Sequence, residues 1–66
     1  MKIRYNRNDN AVYIELAKGK YDKSKKISDA IVVDEDKDGK VLGIEILDAS
    51  ENISAFDPKK LSAQIN

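Results

Sequence analysis

Between residues 31 and 47, apolar side chains recur at every second position on both sides of an Asp38-Gly39 pair. Ile31 and Val33 precede it; Leu42, Ile44 and Ile46 follow it. Period two is the spacing of a strand with one buried face, and Asp-Gly between two such runs is a strong hairpin signal. Two registers keep all five side chains on one face. A two-residue turn at Asp38-Gly39 sets Val33 opposite Ile44 and Ile31 opposite Ile46. A four-residue turn over 36–39 sets Val33 opposite Leu42 and Ile31 opposite Ile44. A slip of one residue would set Ile31 against Glu45 and bury a charge, so the pattern selects against it.

The same stretch matches the calcium-loop spacing D-x-[DN]-x-[DN]-G-x5-E, with Asp34, Asp36, Asp38, Gly39 and Glu45 at the specified positions. That loop binds calcium when a helix on each side brings its last carboxylate back to the ion. Here both flanks have strand periodicity. Glu45 then lies four to six residues along the ladder from Asp36, about 13–20 Å at the usual rise per residue. Calcium–oxygen bonds are about 2.3–2.6 Å long. Asp34, Asp36, Asp38 and Glu45 are therefore read as parts of a hairpin, and no metal or cofactor is expected.

The rest of the chain extends the strand pattern. Lys2, Ile3, Arg4 and Tyr5 alternate polar and apolar. Residues 6–10 are Asn, Arg, Asn, Asp and Asn, a turn composition. Residues 11–16 follow as a second strand, with Val12, Ile14 and Leu16 on one face and Tyr13 and Glu15 on the other. Residues 17–26 form a basic connection around Gly19. A third strand begins near Lys26 or Ile27, with a bulge expected at Ser28-Asp29, and runs through the β-branched residues 31–33. Residues 41–47 make the fourth. Asp57-Pro58 is a helix start, Asp as cap and Pro at the first helical position. Leu61 and Ile65 share a face of that helix, and Phe56 is placed to staple against Leu61. The expected fold is α+β: one domain over 1–66, a four-stranded antiparallel meander over about 2–48, and a short C-terminal helix over about 57–65 (β-β-β-β-α).

Sixty-six residues bury roughly 60% of their unfolded surface, a marginal core. Cysteine and histidine are both absent, so neither a disulfide nor a Cys/His zinc site can support it. Self-association is one remaining source of stability. Twelve basic residues balance twelve acidic ones, which argues against a strong electrostatic footprint for nucleic acid or an anionic membrane. No apolar run approaches the ~20 residues of a membrane span. The alternating N-terminus is unlike a signal peptide, and a cytoplasmic protein is expected.

Candidate chemistry is sparse. There is no Ser–His or Cys–His pair and no phosphate-cradling glycine loop. Glu15 and Glu45 share the less apolar sheet face; paired carboxylates do acid–base work, but two solvated strand glutamates is the plainer reading. Lys18, Lys20, Tyr21, Lys25 and Lys26 form a candidate nucleic-acid platform, with a solvated basic loop as its plain counterpart. Tyr13, Phe56, Leu61 and Ile65 are candidate partner-binding residues. A small sheet with open edges and one incompletely covered face meets that problem by dimerising or by binding another protein.

Two segments resemble a known family. One is Tyr5 followed by residues 9–14, Asp-Asn-Ala-Val-Tyr-Ile. The other is residues 28–50, with Ser28-Asp29-Ala30, the acidic turn, and the run Gly43-Ile44-Glu45-Ile46-Leu47-Asp48-Ala49-Ser50. In order and spacing they are similar to the YuzE-like family of small prokaryotic proteins, the group called domain of unknown function 2283. Asn6 departs from it, standing where the family often has Asp. The resemblance implies an antiparallel sheet of about four strands with a helical C-terminal element, and neither enzyme activity nor a cofactor. It implies an antitoxin-like or protein-binding role, because members look like partners of small toxin-like proteins. The expected role is a non-enzymatic protein-interaction module, with residues 53–65 as a candidate docking element. The alternative is weak nucleic-acid binding through residues 18–26.

Overall fold

The computed structural model describes residues 1–63. Five strands form one antiparallel sheet: β1 (Lys2–Asn6), β2 (Ala11–Glu15), β3 (Lys23–Lys26), β4 (Ile31–Glu35) and β5 (Val41–Ile46). Two short helices follow, α1 (Ala49–Asn52) and α2 (Pro58–Ala63). The α+β class is as expected, but the sheet has five strands and there are two helical segments. The additional strand lies inside the basic connection. Ser28 and Asp29 belong to the turn between β3 and β4 and not to a bulge: the N–H groups of Ile27 and Ser28 donate to the Ile31 carbonyl, and Ser28 Oγ accepts from the Ile31 N–H.

The strand order β1-β2-β5-β4-β3 is not a simple meander. After β2 the chain crosses to the far edge, runs out as β3, and returns inward through β4 and β5. The sheet closes where β5 pairs with β2, Val12 opposite Ile46 and Ile14 opposite Ile44. Crossing the ends of β5 and β4 is anchored by the chain itself. Leu16 and Ala17 donate N–H bonds to the Leu42 carbonyl at 2.9 and 3.1 Å, and Asp22 donates to Glu35.

Between β4 and β5 the register is the one predicted for a two-residue turn: Ile31 faces Ile46 and Val33 faces Ile44. The turn itself is longer. Asp36 and Lys40 close a three-residue loop, with the Asp36 N–H on the Lys40 carbonyl and the Gly39 N–H on the Asp36 carbonyl. Gly39 has φ +81°, the left-handed position such loops require. Continued unaltered, this loop would impose the excluded register, Ile31 against Glu45. A bulge restores the phase: Glu35 pairs with Val41, Asp34 pairs with Gly43, and Leu42 is the extra residue between them.

Cross-strand rows follow from these pairings. Ile3, Ile14, Ile44 and Val33 form one row, and Tyr5, Val12, Ile46 and Ile31 a second, on the same face. Phe56 meets Tyr5 edge to face, ring centroids 5.0 Å apart, and α2 packs on β1. Asp57 caps α2 as expected, its Oδ1 accepting the Lys59 N–H at 3.0 Å. Asn10 ties the first hairpin to α1. Its Oδ1 accepts from the Tyr5 hydroxyl and the Ser50 N–H, its Nδ2 donates to Ser50 Oγ, and its carbonyl accepts from Ala49. Asn10 holds φ +49°, a conformation Asn tolerates better than most residues.

Candidate functional site

The apolar face is incompletely covered. Among the described residues, the buried apolar side chains are Val12, Leu42 and Ala49. Ile3, Ile14, Ile31, Val33, Ile44 and Ile46 are all half-buried. The helices lie toward the β1 end, through Phe56 on Tyr5 and α2 on β1. At the hairpin-tip end the connection covers Leu42, so closely that a Cβ on Gly19 would come within 2.7 Å of its Cδ2. The rows between these two covers remain partly open.

The opposite face is polar. Its rows are Arg4, Tyr13, Glu45, Val32 and Lys26, and Lys2, Glu15, Gly43, Asp34 and Ser24. Gly43 lacks a side chain, and the Tyr13 hydroxyl lies in the space. Asp34 is buried and accepts a 2.6 Å bond from Ser24 Oγ. The Glu45 carboxyl is raised above its usual pKa by burial first, then by its hydrogen bond to Asp34 and by Asp34's charge. Burial also raises the Tyr13 phenol, as do the charges of Asp34, Glu15 and Glu45; the Arg4 guanidinium, 5.4 Å over the ring, opposes them.

The calcium-loop residues separate accordingly. Glu45 is opposite Val32 and diagonal to Asp34, while the Asp36 Oδ1 accepts from the N–H groups of Asp38 and Lys40, both at 2.9 Å. Among the described residues no three Asp or Glu side chains converge as a metal site. The carboxyl pair that does form is Asp34–Glu45 and not Glu15–Glu45, because the bulge and the missing side chain at residue 43 let Asp34 and Glu45 meet diagonally.

The candidate partner residues do not form one surface. Tyr13 is on the polar face, whereas Phe56 packs against Tyr5 of the apolar face. Leu61 is half-buried on α2, and Ile65 lies outside the described residues. The basic residues are divided as well. Lys18 and Lys20 are exposed in the connection, Lys25 follows Val33 on the apolar face, and Lys26 pairs with Val32 on the polar face. Lys25 is ion-paired to Glu35 at 3.6 Å, and Tyr21 is hydrogen-bonded to Ser24 at 2.8 Å. What sequence reasoning missed is the strand formed by Lys23–Lys26 at the sheet edge. Its available signal was the apolar pair Tyr21 and Ile27 bracketing five polar residues.

A family model described as Protein of unknown function (DUF2283) matches residues 2–50. The chain belongs to this family. No curated protein and no solved structure matches it. The DUF2283 segment contains all five strands and ends at Ser50, the residue Asn10 binds, so α2 lies beyond the matched part. Within the DUF2283 segment the acidic turn is the tip of the β4–β5 hairpin. No helix among the described residues is long and apolar enough to cross a membrane.

Proposed function

We propose that this domain is a non-enzymatic protein-interaction module, acting as an antitoxin-like partner or within a homo-oligomer. The half-covered rows of Ile3, Ile14, Ile44 and Val33, and of Ile46 and Ile31, carry this reading. A standard interface takes about 800 Å² from each partner. The molecule measures 35 × 28 × 19 Å, and one sheet face of that extent can supply it. Burying half-exposed Ile and Val side chains is favourable at about 25 cal/mol per Å². The dispersal of the lysines over the connection and both faces supports the protein-binding reading over nucleic acid.

Sedimentation across a wide concentration range, and co-purification with the product of a neighbouring gene, test the reading. The expected result is association that weakens on Val33→Thr or Ile44→Thr while circular dichroism is kept. A chain that stays monomeric throughout and retains no co-expressed protein would overturn it. So would association indifferent to both variants. Residues 53–65 receive a separate test. If truncation after Ser50 leaves the sheet folded and abolishes association, the docking element includes the helix; if the sheet unfolds, the helix is core.

A further inference from the structure

Among the described residues the sheet ends in two edge strands, β1 and β3, and β3 is the more unusual. Its residues, Lys23–Lys26, are all exposed and carry three positive charges. Tyr21, two residues before the strand, and Ile27, directly after it, are 58% and 64% exposed. The edge is also held in shape. Ser24 Oγ donates to Asp34, and the Tyr21 hydroxyl pairs with the same Oγ, which fixes the ring beside the strand. The Ile27 N–H bonds inward to Ile31 at 2.8 Å. Alternation of an antiparallel ladder then turns the main-chain groups of Lys25 inward and those of Ser24 and Lys26 outward.

We propose that this edge binds an extended acidic peptide segment by strand addition. The main-chain groups of Ser24 and Lys26 pair with the incoming strand, Lys23 and Lys25 meet carboxylates on one face of it and Lys26 a carboxylate on the other, and Tyr21 and Ile27 receive apolar side chains at its ends. Charge selects the occupant. A second copy would bring β3 against β3, or against β1 with its exposed Lys2 and Arg4, and like charges opposed across strands are destabilising. Asp22 and Asp29 flank the strand, so the preference for acidic residues falls at the centre and not the ends. Nucleic acid is less favoured: Lys25 and Lys26 project to opposite faces, with the main chain between them, and no single basic surface forms. The edge is distinct from the apolar face, and neither surface requires the other to be a binding site.

The test uses the full chain and an acetylated, amidated peptide, Val-Glu-Glu-Thr-Glu-Thr-Leu, which in antiparallel register sets its glutamates opposite Lys26, Lys25 and Lys23, with a lysine-for-glutamate peptide and a single-stranded oligothymidine as comparators. Amide hydrogen exchange at Ser24 and Lys26 is the readout. The acidic peptide is expected to slow both by about tenfold or more, because outward amides gain partners only when a strand adds. Lys26→Pro removes an outward N–H without breaking the internal ladder, and is expected to abolish the protection at an unchanged unfolding midpoint. Charge reversal by Lys23→Glu with Lys26→Glu is expected to transfer the preference to the lysine peptide. Equal protection by both peptides, protection by the oligonucleotide alone, or none at saturating acidic peptide would each overturn the proposal.

Discussion

Glu45 lies diagonally across β4 and β5 from Asp34, two residues beyond Asp34's direct partner Gly43, and burial first and then the Asp34 carboxyl raise its pKa above the ordinary carboxylate value. Glu45 therefore binds its proton more tightly folded than unfolded. The associated stability is fully present below the ordinary carboxylate pKa of about 4.3 and is lost as pH rises through the raised value. Glu45→Gln retains a donor toward Asp34 at every pH. At neutral pH the variant is expected to be more stable than the parent, because an uncharged amide replaces a carboxylate beside Asp34. Urea unfolding of both proteins from acidic to neutral pH reads this directly. A difference that does not grow with pH in that window would show that the pair carries no linkage.

Gly43 and Tyr13 are complementary in shape. A Cβ at residue 43 would overlap the Tyr13 hydroxyl and come within 2.9 Å of the Ile14 carbonyl oxygen. Gly43→Ala is expected to destabilise by about 1–3 kcal/mol, the usual cost of overpacking. Tyr13→Ala vacates the space but leaves the Ile14 carbonyl in place. The double variant should consequently lose less than the sum of the singles, by about 1 kcal/mol, with a residual penalty from the backbone contact. Strict additivity in chemical denaturation would contradict this account.

Asn10 connects the two halves of the matched segment at the turn. Replacing it with Ala removes the bonds to Tyr5 and Ser50, worth about 1 kcal/mol each, and adds a cost of about 1 kcal/mol for a left-handed Ala. Gly accepts φ +49° but loses the same bonds, whereas Asp keeps the acceptor and loses the donor to Ser50. Loss of stability should rank Ala above Gly above Asp. If Ala and Gly unfold at the same denaturant concentration, the left-handed conformation is not a determinant.

The two hairpins were legible in the sequence because each has one buried face, and burial writes period two into the chain. Asp57-Pro58 was legible because capping is local. β3 was not. An edge strand needs no buried face, and Lys23, Ser24, Lys25 and Lys26 become a strand through their pairing with β4. The Leu42 bulge was hidden by its own effect: the loop shifts the register by one and the bulge shifts it back, so the final pairing is that of a simpler turn. Asn10 reads locally as a turn former, and nothing near it in the chain points to Ser50. The Asp34–Glu45 contact depends on the bulge and on the open space at Gly43.

The junction of β2 with β5 also governs the order of events in folding. The pairs β1–β2, β3–β4 and β4–β5 each close over short stretches, whereas Val12 meets Ile46 and Ile14 meets Ile44 after the intervening chain has been brought round. Long closures incur their entropic cost before contacts compensate for it. The N-terminal hairpin and the three-stranded remainder are therefore expected to form before they join, and stopped-flow refolding is expected to slow more on substitutions at Val12 and Ile46 than on changes in the turns.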